Sequence, residues 1–180
     1  MSPASGHVCS PRPGRTDATV ALCTADAHGG FGRSESVALM ITLTLEDAQK
    51  GLASQPFSVL LGARVTSFGN GAATLELDIR EDLLQQNGYL HGGVLAYAAD
   101  NAITFAAGTT LGPDVLTGGF SINYLRPAQG IRLVAEARVL HSGRRQATCR
   151  CDLHVIGQDG TTTLSAAAQG SVLTRNGPTR

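Results

Sequence analysis

Tryptophan is absent, and aromatic residues make up only 4% of the 180 residues. Any core must therefore be built from Ala, Val, Leu and Ile in thin, closely packed layers. An excess of one charge is missing too. The 14 Lys+Arg balance 14 Asp+Glu, which removes the electrostatic footprint expected of a nucleic-acid binder. Long apolar runs are lacking: Val94 to Ala99, in the strongest helical segment, falls far short of the roughly 20 residues of a membrane span. Four cysteines, with no Cys-x-x-Cys spacing, fit a reducing cytosol better than a disulfide-stapled secreted domain. Gly-x-Ser-x-Gly, His-Glu-x-x-His, Gly-x-x-x-x-Gly-Lys and Gly-x-Gly-x-x-Gly do not occur, so a serine-nucleophile or nucleotide-binding enzyme has no support.

The chain divides by composition. Residues 1–39 hold Pro3, Pro11, Pro13 and five glycines without an apolar period, and read as a disordered N-terminal extension. Val20-Ala21-Leu22-Cys23 is too short for the apolar segment of a signal peptide. Regular patterning begins at Met40, a candidate true initiator, and residues 40–180 are expected to form one domain.

Within that domain, Thr44-Leu45-Glu46-Asp47 predicts an N-cap and a short amphipathic helix ending before Pro56. The period then changes to two. A strand at about 63–68 turns at Gly69-Asn70-Gly71 into a second one with Leu75, Leu77 and Ile79 on its apolar face. A helix at about 92–108 follows, rich in alanine and hardly polar on either side, which predicts burial nearly all round. A strand at about 116–126 leads to three alternating strands whose inward residues are Ile131 to Val139, Ala147 to Val155, and Leu164 to Val172, joined at Ser142-Gly143 and Asp159-Gly160. The expected fold is α+β, an antiparallel sheet of five to six strands wrapped around the central helix.

Asp100 is the single carboxylate of that helix. An ionised carboxylate there is protonated, paired or opens onto a cavity or subunit interface. It reads equally as a structural group bonded to Asn101, Thr104 or another neighbour, and as a chemical one. His91-Gly92-Gly93 starts the helix, either as a tight turn with a polar cap or as uncovered amides that could polarise a carbonyl oxygen. Nine residues from His91 to Asp100 amount to about half a turn of phase and about 13 Å of axis. Both can act on one small group only if they come from different subunits.

The run Gln86-Asn87-Gly88-Tyr89-Leu90-His91-Gly92-Gly93-Val94-Leu95-Ala96-Tyr97-Ala98-Ala99-Asp100-Asn101-Ala102, followed by Asn123-Tyr124-Leu125-Arg126-Pro127-Ala128, resembles the PaaI-type (phenylacetate-pathway) hotdog-fold acyl-CoA thioesterases. The resemblance spans about residues 52–173. It implies a sheet wrapped on a helix, a homodimer with a continuous sheet that often pairs into a homotetramer, and an acyl-CoA substrate in the cytoplasm. No cofactor or metal is implied. By position, Asp100 would activate water or attack the thioester, and the Gly92 amide of the facing subunit would polarise the carbonyl, assisted by Gly93. His91 would shape the helix start. Asn87, or its neighbour Gln86, would orient the water or thioester, although Asn87 stands only four residues before His91. Thr104, Asn123, Arg126 and the Arg144-Arg145 turn are candidate substrate contacts, the arginines for the coenzyme A phosphates; the turn reads equally well as a solvated one. Cys149 and Cys151 share a strand face that excludes His154, which favours core cysteines over a metal site. A non-catalytic acyl-CoA or acyl-carrier binding protein on the same fold is the alternative.

Overall fold

The computed structural model describes residues 43–175, so the readings of residues 1–39 and of Met40 lie outside the described residues. Helix α1 (Leu45–Ala53) starts as expected. The Thr44 hydroxyl accepts from the Asp47 N–H, while the Asp47 carboxylate accepts from the Thr44 N–H at 3.0 Å. Those bonds hold the Asp47 carboxyl below its usual range. The helix ends at Ala53, before Pro56, as expected, and Pro56 is in turn the first residue of a further short helix, α2 (Pro56–Leu61), since proline has no N–H to lose at that position.

Strands β1 (Arg64–Gly69) and β2 (Ala72–Asp78) form a hairpin. Asn70 at φ 51° and Gly71 at φ 75° make its two-residue turn, the backbone that matches strand twist. A 3₁₀ turn (Glu81–Leu83) leads to the long helix α3 (Gly92–Leu111). Strands β3 (Val115–Tyr124), β4 (Arg132–Ser142), β5 (Gln146–Ile156) and β6 (Thr162–Thr174) complete one six-stranded antiparallel sheet, ordered β1-β2-β4-β5-β6-β3. β3 and β1 are its edges.

The sheet closes on α3 through small side chains. Ala98, Ala99, Ala102, Ile103, Ala106 and Ala107 are fully buried against Leu77, Leu133, Ala135, Cys149, Cys151, Leu153 and Ala166. Among the described residues no aromatic ring is in that core; the rings of Phe68, Phe105 and Tyr97 pack only at its margin. The burial nearly all round that the pattern predicts is not found. Ala96, Tyr97, Asp100, Asn101 and Thr104 are half-exposed, because the described residues supply one sheet and that sheet covers one face. Ile131, expected inward, is 46% exposed just ahead of β4.

One irregularity positions the site. The β3–β6 register shifts between Thr117 and Gly119, leaving Gly118 as an extra residue. A bulge of this kind changes which residues face inward. Thr117, opposite Val172, and Ile122 and Tyr124, opposite Ala168 and Ala166, therefore all face α3.

Candidate active site

His91 caps α3. Its Nδ1 accepts from the Gly93 N–H at 2.9 Å, satisfying one donor of the open helix end. The Gly93 amide is thereby occupied, so the expected assistance from Gly93 would require the imidazole to move. Among the described residues the Gly92 N–H has no acceptor. The Tyr124 hydroxyl donates to the Gly92 carbonyl oxygen at 3.0 Å. A Cβ on Gly92 would lie 3.4 Å from that phenol, so a larger side chain there displaces Tyr124.

Two turns on, the Thr117 hydroxyl donates to Asp100 Oδ1 at 2.6 Å. Thr104 and Thr117 hydroxyls stand 2.7 Å apart. With its only proton on the carboxylate, Thr117 accepts from Thr104. One Asp100 oxygen is thus fixed through a two-hydroxyl chain, while Oδ2 has no hydrogen-bond partner among the described residues. The structural partners expected of Asp100 are replaced accordingly: Asn101 donates instead to the Tyr97 carbonyl at 3.2 Å, and Thr104 acts only through Thr117. Tyr97, three residues before Asp100, donates to the buried Ser58 hydroxyl at 2.7 Å, and Ser58 to Gln55. Burial, with the Asp100 charge adding to it, pushes the Tyr97 phenol above its usual range, so it stays a donor.

The structure separates other candidates. Gln86 and Asn87 lie exposed on a turn, and Asn87 reaches only Gln85, at 3.4 Å. It is Gln85 that lines the cleft with Gly92, Tyr124 and Arg126. Asn123 points to the sheet face away from α3, opposite Ala167. Arg126, donating to the Leu164 carbonyl at 3.0 Å, borders the Gly92 cleft. Arg144 and Arg145 border another cleft with His141 and Thr148. Arg145 accepts through its carbonyl from Thr174, at the far end of β6, ten residues or about 33 Å of strand from Leu164. A single chain does not bring these arginines together.

Cys149 and Cys151 are buried side by side, and burial pushes their thiols up to about 11 and about 12. His154 lies on the opposite face, 3.5 Å from Glu136. Among the described residues no three His, Cys, Asp or Glu side chains gather to hold a metal ion. No helix among them is long and apolar enough to cross a membrane.

Comparison with known proteins bears on the family and the fold. Residues 87–161 match the Thioesterase superfamily. The 1,4-dihydroxy-2-naphthoyl-CoA hydrolase of Listeria monocytogenes is 33% identical over 86 residues, 47% of this chain and 70% of that protein. A thioesterase family protein of Silicibacter pomeroyi superposes with a TM-score of 0.69 at 29% identity, covering 72% of this chain and 96% of the other. A mutant of the phenylacetic acid degradation protein PaaI from Thermus thermophilus superposes with a TM-score of 0.58 at 30% identity, covering 67% and 99%. Helix-wrapping sheet, glycine-started central helix and matched relatives together make this chain a member of the thioesterase superfamily, a PaaI-type hotdog thioester hydrolase.

Proposed function

We propose that the protein hydrolyses a small-to-medium or aryl acyl-CoA to the free acid and coenzyme A, in the cytoplasm and without metal or organic cofactor. The observation that carries this reading is the state of Asp100: half-buried, one oxygen fixed by Thr117, the other open. Such a carboxylate can take a proton from water as it attacks the carbonyl carbon, or attack that carbon itself. In the first case the proton taken by Asp100 passes to the departing sulfur as the C–S bond breaks, leaving the free acid and coenzyme A thiol. In the second the C–S bond breaks to a thiolate, which takes its proton from water, and a further water hydrolyses the acyl–Asp100 anhydride to the free acid. The Gly92 amide, at the positive end of α3, would stabilise the oxyanion, with Gln85, rather than Asn87 or Gln86, best placed to orient the reacting group. Arg126 is the nearer phosphate-binding candidate; Arg144 and Arg145 could contribute only from another subunit.

Gly92 and Asp100 are eight residues apart in one helix, about 12 Å along its axis, and their turns open into different clefts. One thioester cannot meet both in a single chain. We therefore assign the complete site to a homodimer, which the free edge of β3 could build as a continuous sheet, with pairing of dimers into a tetramer. The names of the Listeria hydrolase and the Thermus protein favour an aryl acyl group.

A panel of short, medium and aryl acyl-CoAs, followed with a thiol reagent, tests the activity. Release above buffer is expected for at least one; binding without release from any would replace it with the binding-protein alternative. Light scattering should report a dimer or tetramer, and a fully active monomer would end the shared-site reading. A verified heterodimer of an Asp100→Asn subunit with one bulky at Gly92 should regain up to half of wild-type activity, because both lesions fall in one of its two sites.

A further inference from the structure

One face of the sheet lies against α3. On the other stand Glu136 and Arg138 of β4 with Arg150, Asp152 and His154 of β5, because the residues alternating with them, Ala135 and Ala137, Cys149, Cys151 and Leu153, are buried. Like charges directly opposite one another across a ladder are destabilising, and around β2 the sheet avoids this: Arg64 stands opposite Glu76, and Asp78 opposite Arg132. Between β4 and β5 the arrangement is inverted. Glu136 stands opposite Asp152, and Arg138 opposite Arg150. A row of carboxylates and a row of guanidinium groups thus cross the middle of the sheet, two residues or about 7 Å apart along the strands.

Contacts within the chain leave these rows only partly satisfied. Arg150 reaches Asp152 at 2.9 Å, and His154 Nδ1 lies 3.5 Å from Glu136. Arg138 has no carboxylate partner among the described residues. On β6 and β3 the same rows continue in uncharged side chains, Ala167 and Asn123 beside the carboxylates, Gln169 and Ser121 beside the arginines. Nothing bulky there holds off a second sheet at the usual stacking distance of about 10 Å.

We infer that this face docks on the same face of a second copy; this rests on the assembly reading given above and names the surface by which dimers pair. The charges also select the symmetry. A two-fold axis running along the strands, between β4 and β5, would lay carboxylate on carboxylate and guanidinium on guanidinium. An axis running across the strands, between the two rows, lays each carboxylate row on the guanidinium row of the other copy with the strands of both sheets aligned. Arg138 gains there the carboxylate it lacks within its own chain. The same axis stands at right angles to the one that would join two β3 edges, as a closed tetramer built from two-fold contacts requires. Ion pairs so placed fix orientation and register, while the uncharged remainder of the face supplies area.

Two variants of the full chain test this. Arg138→Glu with Arg150→Glu makes the face all acidic, and Glu136→Arg with Asp152→Arg makes it all basic. Sedimentation velocity should give a tetramer for wild type and half that mass for each variant, the dissociation constant rising at least about 100-fold because like charges meet across the interface. An equal mixture of the two variants should recover the wild-type mass, which a folding defect would not allow. Should a double variant fail to fold, Arg138→Glu alone carries the test, with a rise of at least about tenfold. Variants that keep the wild-type mass, or folded halves that stay apart on mixing, would overturn the inference. So would a wild type that remains an active dimer unaffected by either variant, which leaves the shared site standing. A wild-type dimer that either variant splits into monomers keeps the face contact and ends the β3-edge reading instead.

Discussion

The two turns of α3 to which the proposed chemistry is assigned are built from opposite materials. At its first turn the proposed role belongs to the backbone, and the side chains there leave it bare: glycine at 92 and 93, with His91 holding only the second amide. At its third turn the proposed role belongs to a side chain, and that side chain is held by others, Thr117 directly and Thr104 behind it. The first turn is exposed to any substituent; the third is exposed to any lost hydroxyl. The same edge strand, β3, secures both.

Substitutions can separate these two kinds of dependence. The largest effect is expected from Asp100→Asn, which keeps shape and removes the charge: kcat should fall by about 10²-fold or more with ligand affinity largely kept. Its melting temperature should hold or rise, since a half-buried charge is relieved. Thr117→Val should lower kcat next, because a hydrogen bond to a charged group is worth about 1.5–3 kcal/mol, or about tenfold to a hundredfold in rate. Thr117→Ser should restore it while KM stays constant; no difference between Val and Ser would make Thr117 a packing residue only.

At the first turn the readout becomes stability. A Cβ on Gly93 would stand 3.0 Å from His91 Nδ1, so Gly93→Ala should push the cap aside and cost about 1 kcal/mol, as cap losses do, visible in thermal melts. Tyr124→Phe should be the mildest. Tyr124 is largely exposed, and losing one such bond is worth about 0.5 kcal/mol; a larger activity loss would show that Tyr124 sets the position of the Gly92 amide.

The third turn is harder to read in sequence than the first. His91-Gly92-Gly93 is contiguous, and a glycine pair opening an apolar helix is a local signal, as are the capping box at Thr44 and the alternating Cys149, Cys151, Leu153 and Val155. Thr117 is legible only once β3 is laid against β6 with its bulge, because the positions between Asp100 and Thr117 carry no mark that the two meet. Gln85 escapes a reading that ranks residues by their distance along the chain from His91, because exposure decides which of Gln85, Gln86 and Asn87 reaches the cleft. Helix α2 is hidden when Pro56 is treated only as a stop. The open face of α3 follows from counting sheets rather than residues: its composition is that of a buried helix, and the described residues do not contain what would cover it.

Thr117 and Tyr124 are seven positions apart, an odd number, and in an unbroken strand they would point to opposite faces. The extra residue at Gly118 turns both hydroxyls to the same helix. Length in this stretch is therefore counted in pairs. Replacing an outward-facing residue between them alters a surface, whereas deleting a single one turns half the strand over and releases α3 at its amide end or at its carboxylate end. Deleting Gly118 should abolish turnover in a protein that still folds, while no single substitution at the exposed positions Ser121 or Asn123 should come close.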